Sequence, residues 1–179
     1  MSNTLVIHPK DVTTDCLEVI YKDRDWDVVR DFEIPTPELR KLVKEHDRIV
    51  MLGHGTPYGL LAGGYLLGKK KGFTRFHHFI VDGSFAPLLQ NKETFSIWCN
   101  SDKFFERYNI PGLHTGMIIS EVGEEEYCLG RVWLTEEEMA KNMELFCGTF
   151  AKYIDLSPNE MKTKVLEEYV GDDPVTRYN

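Results

Sequence analysis

The residues best suited to chemistry in this sequence are a histidine and a cysteine, each at the end of an apolar run. His54 stands between two glycines in RIVMLGHGTP (48–57), and Cys99 ends the run TFSIWC (94–99). A neutral imidazole beside a thiol can take its proton, and the resulting thiolate is the nucleophile. A free thiol with a pKa of about 8.5 is only a few per cent ionised at neutral pH, so a partner base matters. The two residue types therefore predict covalent catalysis by a cysteine–histidine pair, provided that the fold brings them together.

Alternating strand and helix patterns predict the frame that would position this pair. Apolar runs over 4–8 and 48–53 are typical of strands covered on both faces. Further strands are predicted in the segments WDVVRDF, HHFIVDG, TFSIWC and HTGMIIS. Helices are predicted in TTDCLEVIY, in PELRKLVKE after a Thr36 cap, in FAPLLQNK and in SDKFFERY with Ser101 as N-cap. Two more helices are predicted after the capping boxes Thr135/Glu138 and Ser157/Glu160. We therefore predict an α/β fold for residues 1–179 as a single domain, a three-layer sandwich around a mainly parallel sheet.

Ligands of such sheets bind beyond the carboxyl ends of the strands, where His54 and Cys99 are expected. If their two strands are neighbours, about 4.8 Å apart, both side chains emerge on the same rim. A helix beginning after Ser101 would add a modest positive potential near the thiol. Gly55 would let a substrate carbonyl approach the main chain, and Gly53 would permit a sharp exit from the strand.

The same segments resemble the caspase-like cysteine peptidases, which include legumain, gingipains, separase and caspases. IVMLGHGTPYGLL is similar to the block in which His-Gly follows a hydrophobic strand, and FSIWCNSD to the block that ends in the nucleophilic cysteine. The resemblance implies a caspase-like fold from residue 4 to about residue 120. It also implies Cys99 as nucleophile, His54 as general base and acid, and an oxyanion hole from the N–H groups of Gly55 and Cys99. The family usually has a small residue where this chain has Trp98, whose indole would crowd the site or face the other side of the sheet.

Candidates for substrate binding follow from the same resemblance. Asp11 and Asp15 come after the first strand, where relatives that cut after arginine or lysine keep an acidic residue. Ser101 is the small polar residue two positions after the cysteine. The predicted activity is cleavage of a peptide or protein substrate through a thioester intermediate. The net charge of −8 suits basic substrates or partners, and it also keeps a protein soluble.

Two other interpretations remain open. The chain could be a caspase-like domain that binds or regulates without cutting, which Trp98 and the small size favour. It could instead be an unrelated doubly wound protein that binds a small ligand at the same rim, with Cys99 far from His54. For the cysteine taken alone, a small buried hydrophobe is the plainer interpretation.

Several function classes are disfavoured by composition and spacing. With 29 acidic against 21 basic residues, a broad nucleic-acid footprint is not expected. GGYLLGKK (63–70) has Lys70 where a nucleotide-binding Walker A loop needs serine or threonine. His77 and His78 are adjacent, so in a strand their side chains would point to opposite faces and could not bind one metal ion together. We predict no metal and no cofactor.

The sequence shows neither a signal-peptide pattern nor an apolar stretch long enough to span a bilayer. We therefore expect a cytoplasmic protein with free thiols and no membrane association. Cys16, Cys128 and Cys147 are expected in the core, and His8 and His114 in structural roles. The sequence predicts no oligomeric state.

Overall fold

The strands of this protein form two separate sheets in the computed structural model, which describes residues 3–62 and 78–179. The strands of the described part are β1 (Thr4–Ile7), β2 (Asp27–Val29), β3 (Arg48–Leu52), β4 (Gly55–Thr56), β5 (Gly59–Leu61), β6 (Phe79–Asp82), β7 (Glu93–Ile97) and β8 (Leu113–His114). The larger sheet has five strands in the order β2-β1-β3-β7-β8, and every pairing in it is parallel. The prediction of an α/β protein with a mainly parallel sheet is confirmed.

Helices connect the strands and complete the chain. They are a 3-10 helix (Asp15–Ile20), α1 (Thr36–Glu45), a 3-10 turn (Gly83–Phe85), α2 (Ala86–Leu89), α3 (Ser101–Tyr108), α4 (Val122–Leu129), α5 (Glu136–Tyr153), α6 (Pro158–Glu168) and α7 (Pro174–Tyr178). The two predicted capping boxes are present at the starts of α5 and α6. Each box satisfies two backbone N–H groups that a helix start would otherwise leave without a partner.

The parallel sheet is covered on both faces because successive strand residues alternate between two cores. Along β3, Ile49 and Met51 belong to one cluster, whereas Val50 and Leu52 belong to the other. The first cluster contains residues of α1, α2 and α3, and the second contains residues of α5 and α6. All five residues of β3 are buried, as expected of a central parallel strand.

A small antiparallel sheet of β4, β5 and β6 follows directly after β3. Thr56 and Gly59 are register partners, so Pro57 and Tyr58 form the two-residue turn of a hairpin. The strands β4 and β5 have two and three residues. Such short strands fall below the length at which an alternating pattern can be recognised, and the sequence analysis did not predict them.

The predicted strand HTGMIIS is mostly wrong. Pairing with β7 ends at His114, and the chain then turns towards the start of α3. The carbonyl oxygens of Thr115 and Gly116 accept hydrogen bonds from the N–H groups of Asp102 and Asn100, at 3.0 and 2.8 Å. Because these carbonyls satisfy the orphan donors of a helix start, they are not available to a strand ladder.

Smaller differences concern helix starts and one cysteine. The N-cap of α3 is Asn100, in the left-handed region at φ 65°, and Ser101 is the first helical residue. The N-cap of α1 is Pro35 rather than Thr36. The predicted first helix is of the 3-10 type, and α4 and α7 were not predicted as helices. Cys16 is exposed rather than in the core. Within residues 3–62 and 78–179, every helix is too short or too polar to cross a lipid bilayer.

Candidate active site

His54 and Cys99 occupy equivalent positions after two neighbouring strands. The pairing of β3 with β7 ends at the register partners Leu52 and Ile97, and each candidate residue follows two positions later. The N–H of Gly53 still donates to the carbonyl of Ile97 at 3.2 Å, so the strands stay together up to this point. The structure therefore brings the histidine and the cysteine to the same edge of the sheet, as the sequence predicted.

The two side chains line one small cavity of about 40 Å³. Its walls come from the 3-10 helix and the turn before it, from the ends of β3 and β7, from the segment after β8 and from α5. The lining residues are Thr13, Thr14, Cys16, Leu17, Gly53, His54, Ile97, Cys99, Ile118, Ser120, Met143 and Phe146. Most of the wall surface is apolar, and His54 and Cys99 stand among its polar residues.

A hydrogen-bonded chain from Asp11 through Thr13 orients the His54 ring. The Oγ1 of Thr13 donates to Oδ1 of Asp11 at 2.8 Å, and the Thr13 N–H donates to the same oxygen at 3.0 Å. Because the hydroxyl proton is directed at the carboxylate, Oγ1 accepts from Nε2–H of His54 at 2.7 Å. In the neutral ring this arrangement leaves the lone pair on Nδ1, which becomes the nitrogen able to accept a proton.

The carboxylate of Asp11 is placed to support a charge on the imidazole. Its side chain is only 4% exposed, and Oδ2 lies 3.9 Å from Nε2 of His54. Among the described residues, Oδ2 accepts no hydrogen bond. An imidazolium formed during proton transfer would lie 3.9 Å from this buried carboxylate, where opposite charges attract.

The indole of Trp98 lies on the opposite face of the sheet from Cys99. Trp98 is fully buried and packs with Phe104 and Phe105, whereas Cys99 contacts the core on the other face. The indole N–H donates to the carbonyl of Thr56 at 3.3 Å, and the ring lies beneath Gly55. Of the two positions that the sequence allowed for this bulky side chain, the structure shows the one that leaves the cavity open.

The surroundings of the Cys99 thiol favour its protonated form. Burial raises the pKa of the thiol above its ordinary value, and Sγ donates a hydrogen bond to the carbonyl of Ile118 at 3.7 Å. A nearby acidic side chain, Glu124, raises this pKa further. Nucleophilic attack by Cys99 would therefore require removal of the proton during the reaction.

The backbone N–H of Gly55 points away from the hairpin partner of its strand. Leu61 N–H donates to the carbonyl of His54 at 2.8 Å, which makes His54 and Leu61 a hydrogen-bonded pair. Gly55 and Leu60 form the next pair, which is of the non-hydrogen-bonded kind. The N–H of Gly55 is thus directed away from β5, as an oxyanion donor after His54 would need to be.

The remaining substrate-binding candidates do not line this cavity. Asp15 forms an ion pair with Arg30 at 2.8 Å at the surface. Ser101 is fully buried, and its hydroxyl accepts from Thr115 N–H at 2.8 Å and donates to the carbonyl of Thr115 at 2.9 Å. Ser101 thus links the start of α3 to the segment after β8 through these hydrogen bonds.

Thr13 is the residue of the site that sequence reasoning missed. Threonine is common in loops, and its role depends on a turn in which Asp11 binds the backbone two residues later. The pattern Asp-x-Thr, four positions after the end of a buried strand, is a local signal, and it is the signature of an ordinary Asx turn.

Other titratable groups lie away from the cavity or hold the fold. His8 is fully buried and hydrogen-bonded to Tyr21, Thr14 and Arg30, so its predicted structural role is confirmed.

The described residues contain no cluster of three or more side chains able to hold a metal ion. His77 and the Walker-like segment 63–70 lie outside the described residues. A larger groove of about 770 Å³ lies beside β8 and the C-terminal helices, and neither His54 nor Cys99 lines it.

No protein-family model, curated protein or solved structure matches this chain. The relation to caspase-like peptidases therefore depends on the strand-end residues and their geometry, and it stays a prediction.

Proposed function

We propose that this protein is a cysteine peptidase of the caspase-like type, in which Cys99 is the nucleophile and His54 is the general base and acid. The observation that carries the proposal is the convergence of the two side chains on one cavity from equivalent positions after β3 and β7. The chain from Asp11 through Thr13 supports it, because this chain sets the tautomer that a base needs.

Acylation begins when Nδ1 of His54 takes the proton of the Cys99 thiol and Sγ attacks the carbonyl carbon of the scissile bond. The carbonyl oxygen becomes an oxyanion, which the N–H groups of Gly55 and Cys99 stabilise. The imidazolium then gives its proton to the leaving nitrogen, and the C–N bond breaks. The products of this half are a free amine and a thioester on Cys99.

Deacylation repeats these steps with water. His54 takes a proton from the water molecule as its oxygen attacks the thioester carbon, and the same donors stabilise the second oxyanion. The S–C bond breaks, and the imidazolium returns its proton to Sγ. Asp11 and Thr13 act as positioning residues throughout, since Thr13 is hydrogen-bonded to the histidine and Asp11 is hydrogen-bonded to Thr13.

A second candidate function, a caspase-like domain that binds peptides without cutting them, is favoured by one observation. Burial raises the pKa of the Cys99 thiol, and Sγ donates a hydrogen bond to the carbonyl of Ile118. In a binding domain this thiol would be a small buried group with no catalytic role.

Labelling with peptidyl acyloxymethyl ketones tests the proposal, because these probes bind as substrates before an activated thiolate displaces their carboxylate. We expect an adduct on Cys99, located by mass spectrometry of the digested protein. In His54→Ala the labelling rate should fall by about 10²–10⁴-fold, the usual contribution of a general base.

His78→Ala is the matched control, because it makes the same substitution at an exposed histidine that does not line the cavity and should not affect the labelling rate. If the folded wild-type protein gave no adduct on Cys99, or if His54→Ala were labelled as fast as the wild type, the peptidase proposal would be overturned. The binding-domain candidate would then be preferred.

A further inference from the structure

We infer that the cavity beside Cys99 receives the P1 side chain of the substrate and admits only a glycine, an alanine or a serine at that position. This inference rests on the proposed function, because it takes Cys99 as the atom that attacks the scissile carbonyl. It goes further by naming the class of substrate and the residue that limits it.

The location of the cavity identifies it as the P1 site. Cys99 forms part of its wall, and the P1 residue is the one whose carbonyl carbon the thiol attacks. The P1 side chain therefore leaves the backbone within a bond or two of Sγ. His54 and Gly53 line the side next to the hairpin, so a chain held there would have its carbonyl near the N–H of Gly55.

The volume sets the size of the side chain. At roughly 10–15 Å³ for one water molecule, about 40 Å³ accommodates only a few atoms. A benzene-sized group needs a cavity of about 150 Å³. A methyl or hydroxymethyl group fits this space, whereas the side chains of leucine, phenylalanine and lysine do not.

The walls also select against charge. Apart from the imidazole of His54, the described lining residues are apolar or carry hydroxyl or thiol groups, and none is Asp, Glu, Lys or Arg. A buried lysine or arginine head group would lose its hydration there without gaining a carboxylate partner. Asp15 is held at the surface by Arg30, and Asp11 is directed at His54. The cavity is therefore unsuited to the basic P1 residue that the two aspartates suggested in the sequence.

Met143 is the partly buried α5 residue of the cavity wall, and its size can be changed without removing a polar group. It projects from α5, lies between two apolar clusters and is one of two α5 side chains in the wall, the other being Phe146. Methionine is flexible and fills irregular gaps, and its truncation enlarges a cavity without removing a polar group. Met139 lies one turn earlier on the same helix, in the cluster of Ile119 and Val175, and does not line the cavity.

The test uses peptidyl acyloxymethyl ketones that differ only in the P1 residue: glycine, alanine, leucine, phenylalanine or lysine. Second-order rate constants for the Cys99 adduct are measured by intact mass on the full-length protein. We expect the glycine and alanine probes to react about tenfold faster or more than the other three, because even one extra methylene in a hydrophobic pocket has effects of this size.

Substitutions of Met143 are then expected to change the preference for the P1 residue. Met143→Ala should raise the ratio of the leucine rate to the alanine rate by about tenfold, and Met143→Phe should favour the glycine probe over the alanine probe. Met139→Ala makes the same substitution outside the cavity and should keep the wild-type ratios. The order of rates on the wild-type protein needs no variant, so a poorly folding mutant leaves the inference testable.

The outcomes separate the two levels of the proposal. If Cys99 is labelled in a His54-dependent way but the lysine or phenylalanine probe reacts fastest, the P1 inference is overturned and the peptidase proposal stands. If no probe labels Cys99, both are overturned. Equal responses of Met143→Ala and Met139→Ala would overturn the role of Met143.

Discussion

Gly55 lies directly against the indole of Trp98, so that a Cβ at position 55 would overlap atoms of the five-membered ring. The glycine after the candidate histidine is therefore required by packing as well as by any substrate. Because Trp98 is fully buried between β4 and α3, the ring cannot withdraw from a larger neighbour. The hairpin that follows His54 is held at a fixed distance from the strand that precedes Cys99.

Gly55→Ala is expected to destabilise the protein by about 1–3 kcal/mol, the usual cost of an added group in a filled core. The reason is overlap with Trp98, so the effect should shrink in a Trp98→Ala background, where the ring is absent. Urea unfolding of the two single variants and the double variant measures this coupling. Additive effects within about 0.5 kcal/mol would show that the two residues do not interact.

The frame of the site could be predicted from the sequence because it depends on local patterns. The run at 48–52 is largely apolar, the run at 93–97 alternates polar residues with Phe95 and Ile97, and parallel strands of an α/β protein end at one edge. The side taken by Trp98 also follows from alternation, since Ile97 and Cys99 face one core and the residue between them must face the other.

Other features depend on contacts between distant residues and leave no local signal. The path of 115–120 depends on the backbone donors of Asn100 and Asp102 at the start of α3, and no local pattern in 115–120 indicates this contact. The chain from Asp11 through Thr13 to His54 joins a turn after β1 with the end of β3, so its distances follow only from the assembled sheet. The size of the cavity likewise depends on where α5 packs, which periodicity alone does not determine.

Thr13→Val should slow labelling of Cys99 by about tenfold to a hundredfold, since a hydrogen bond to a charged group contributes roughly 1.5–3 kcal/mol. Valine keeps the shape of threonine but cannot accept from Nε2 of His54 or donate to Asp11. Thr13→Ser restores the hydroxyl and should recover most of the rate, a rescue that a purely structural role for the methyl group would not give. Thr36→Val, at an exposed position, is the control. Unchanged labelling in Thr13→Val would contradict the positioning role.

Ser101→Ala should destabilise the protein by about 1–3 kcal/mol, because the N–H of Thr115 would lose its acceptor in a buried place. The ratios of labelling rates among probes should stay those of the wild type, since Ser101 does not line the cavity. Thermal unfolding and the probe panel measure the two effects. Ser84→Ala, which removes an exposed serine hydroxyl, is the control. A changed P1 preference in a stable Ser101→Ala protein would show that Ser101 contributes to substrate binding.

Acid should weaken the loop that carries Asp11 and Thr13, because His8 holds that loop in its neutral form. Burial, with Arg30 nearby, lowers the pKa of His8 from 6.5 to about 3. Its Nδ1 accepts from Arg30 at 2.7 Å, and Nε2 is bonded to Thr14 at 3.1 Å. Between these two pKa values the unfolded chain binds a proton that the folded protein does not, so stability is complete above pH 6.5 and falls as the pH approaches 3.

The loss attributable to His8 should reach about 2 kcal/mol between pH 7 and pH 5, since each unit below the unfolded pKa contributes about 1.4 kcal/mol. Urea unfolding at the two pH values measures it. His8→Gln keeps a neutral side chain that can accept from Arg30 and donate to Thr14, but it does not titrate. This variant should be less stable than the wild type at pH 7 and should lose about 2 kcal/mol less on acidification. His78→Gln, at an exposed position, should keep the wild-type dependence. If His8→Gln and the wild type lost the same stability, His8 would not be the group that titrates on unfolding.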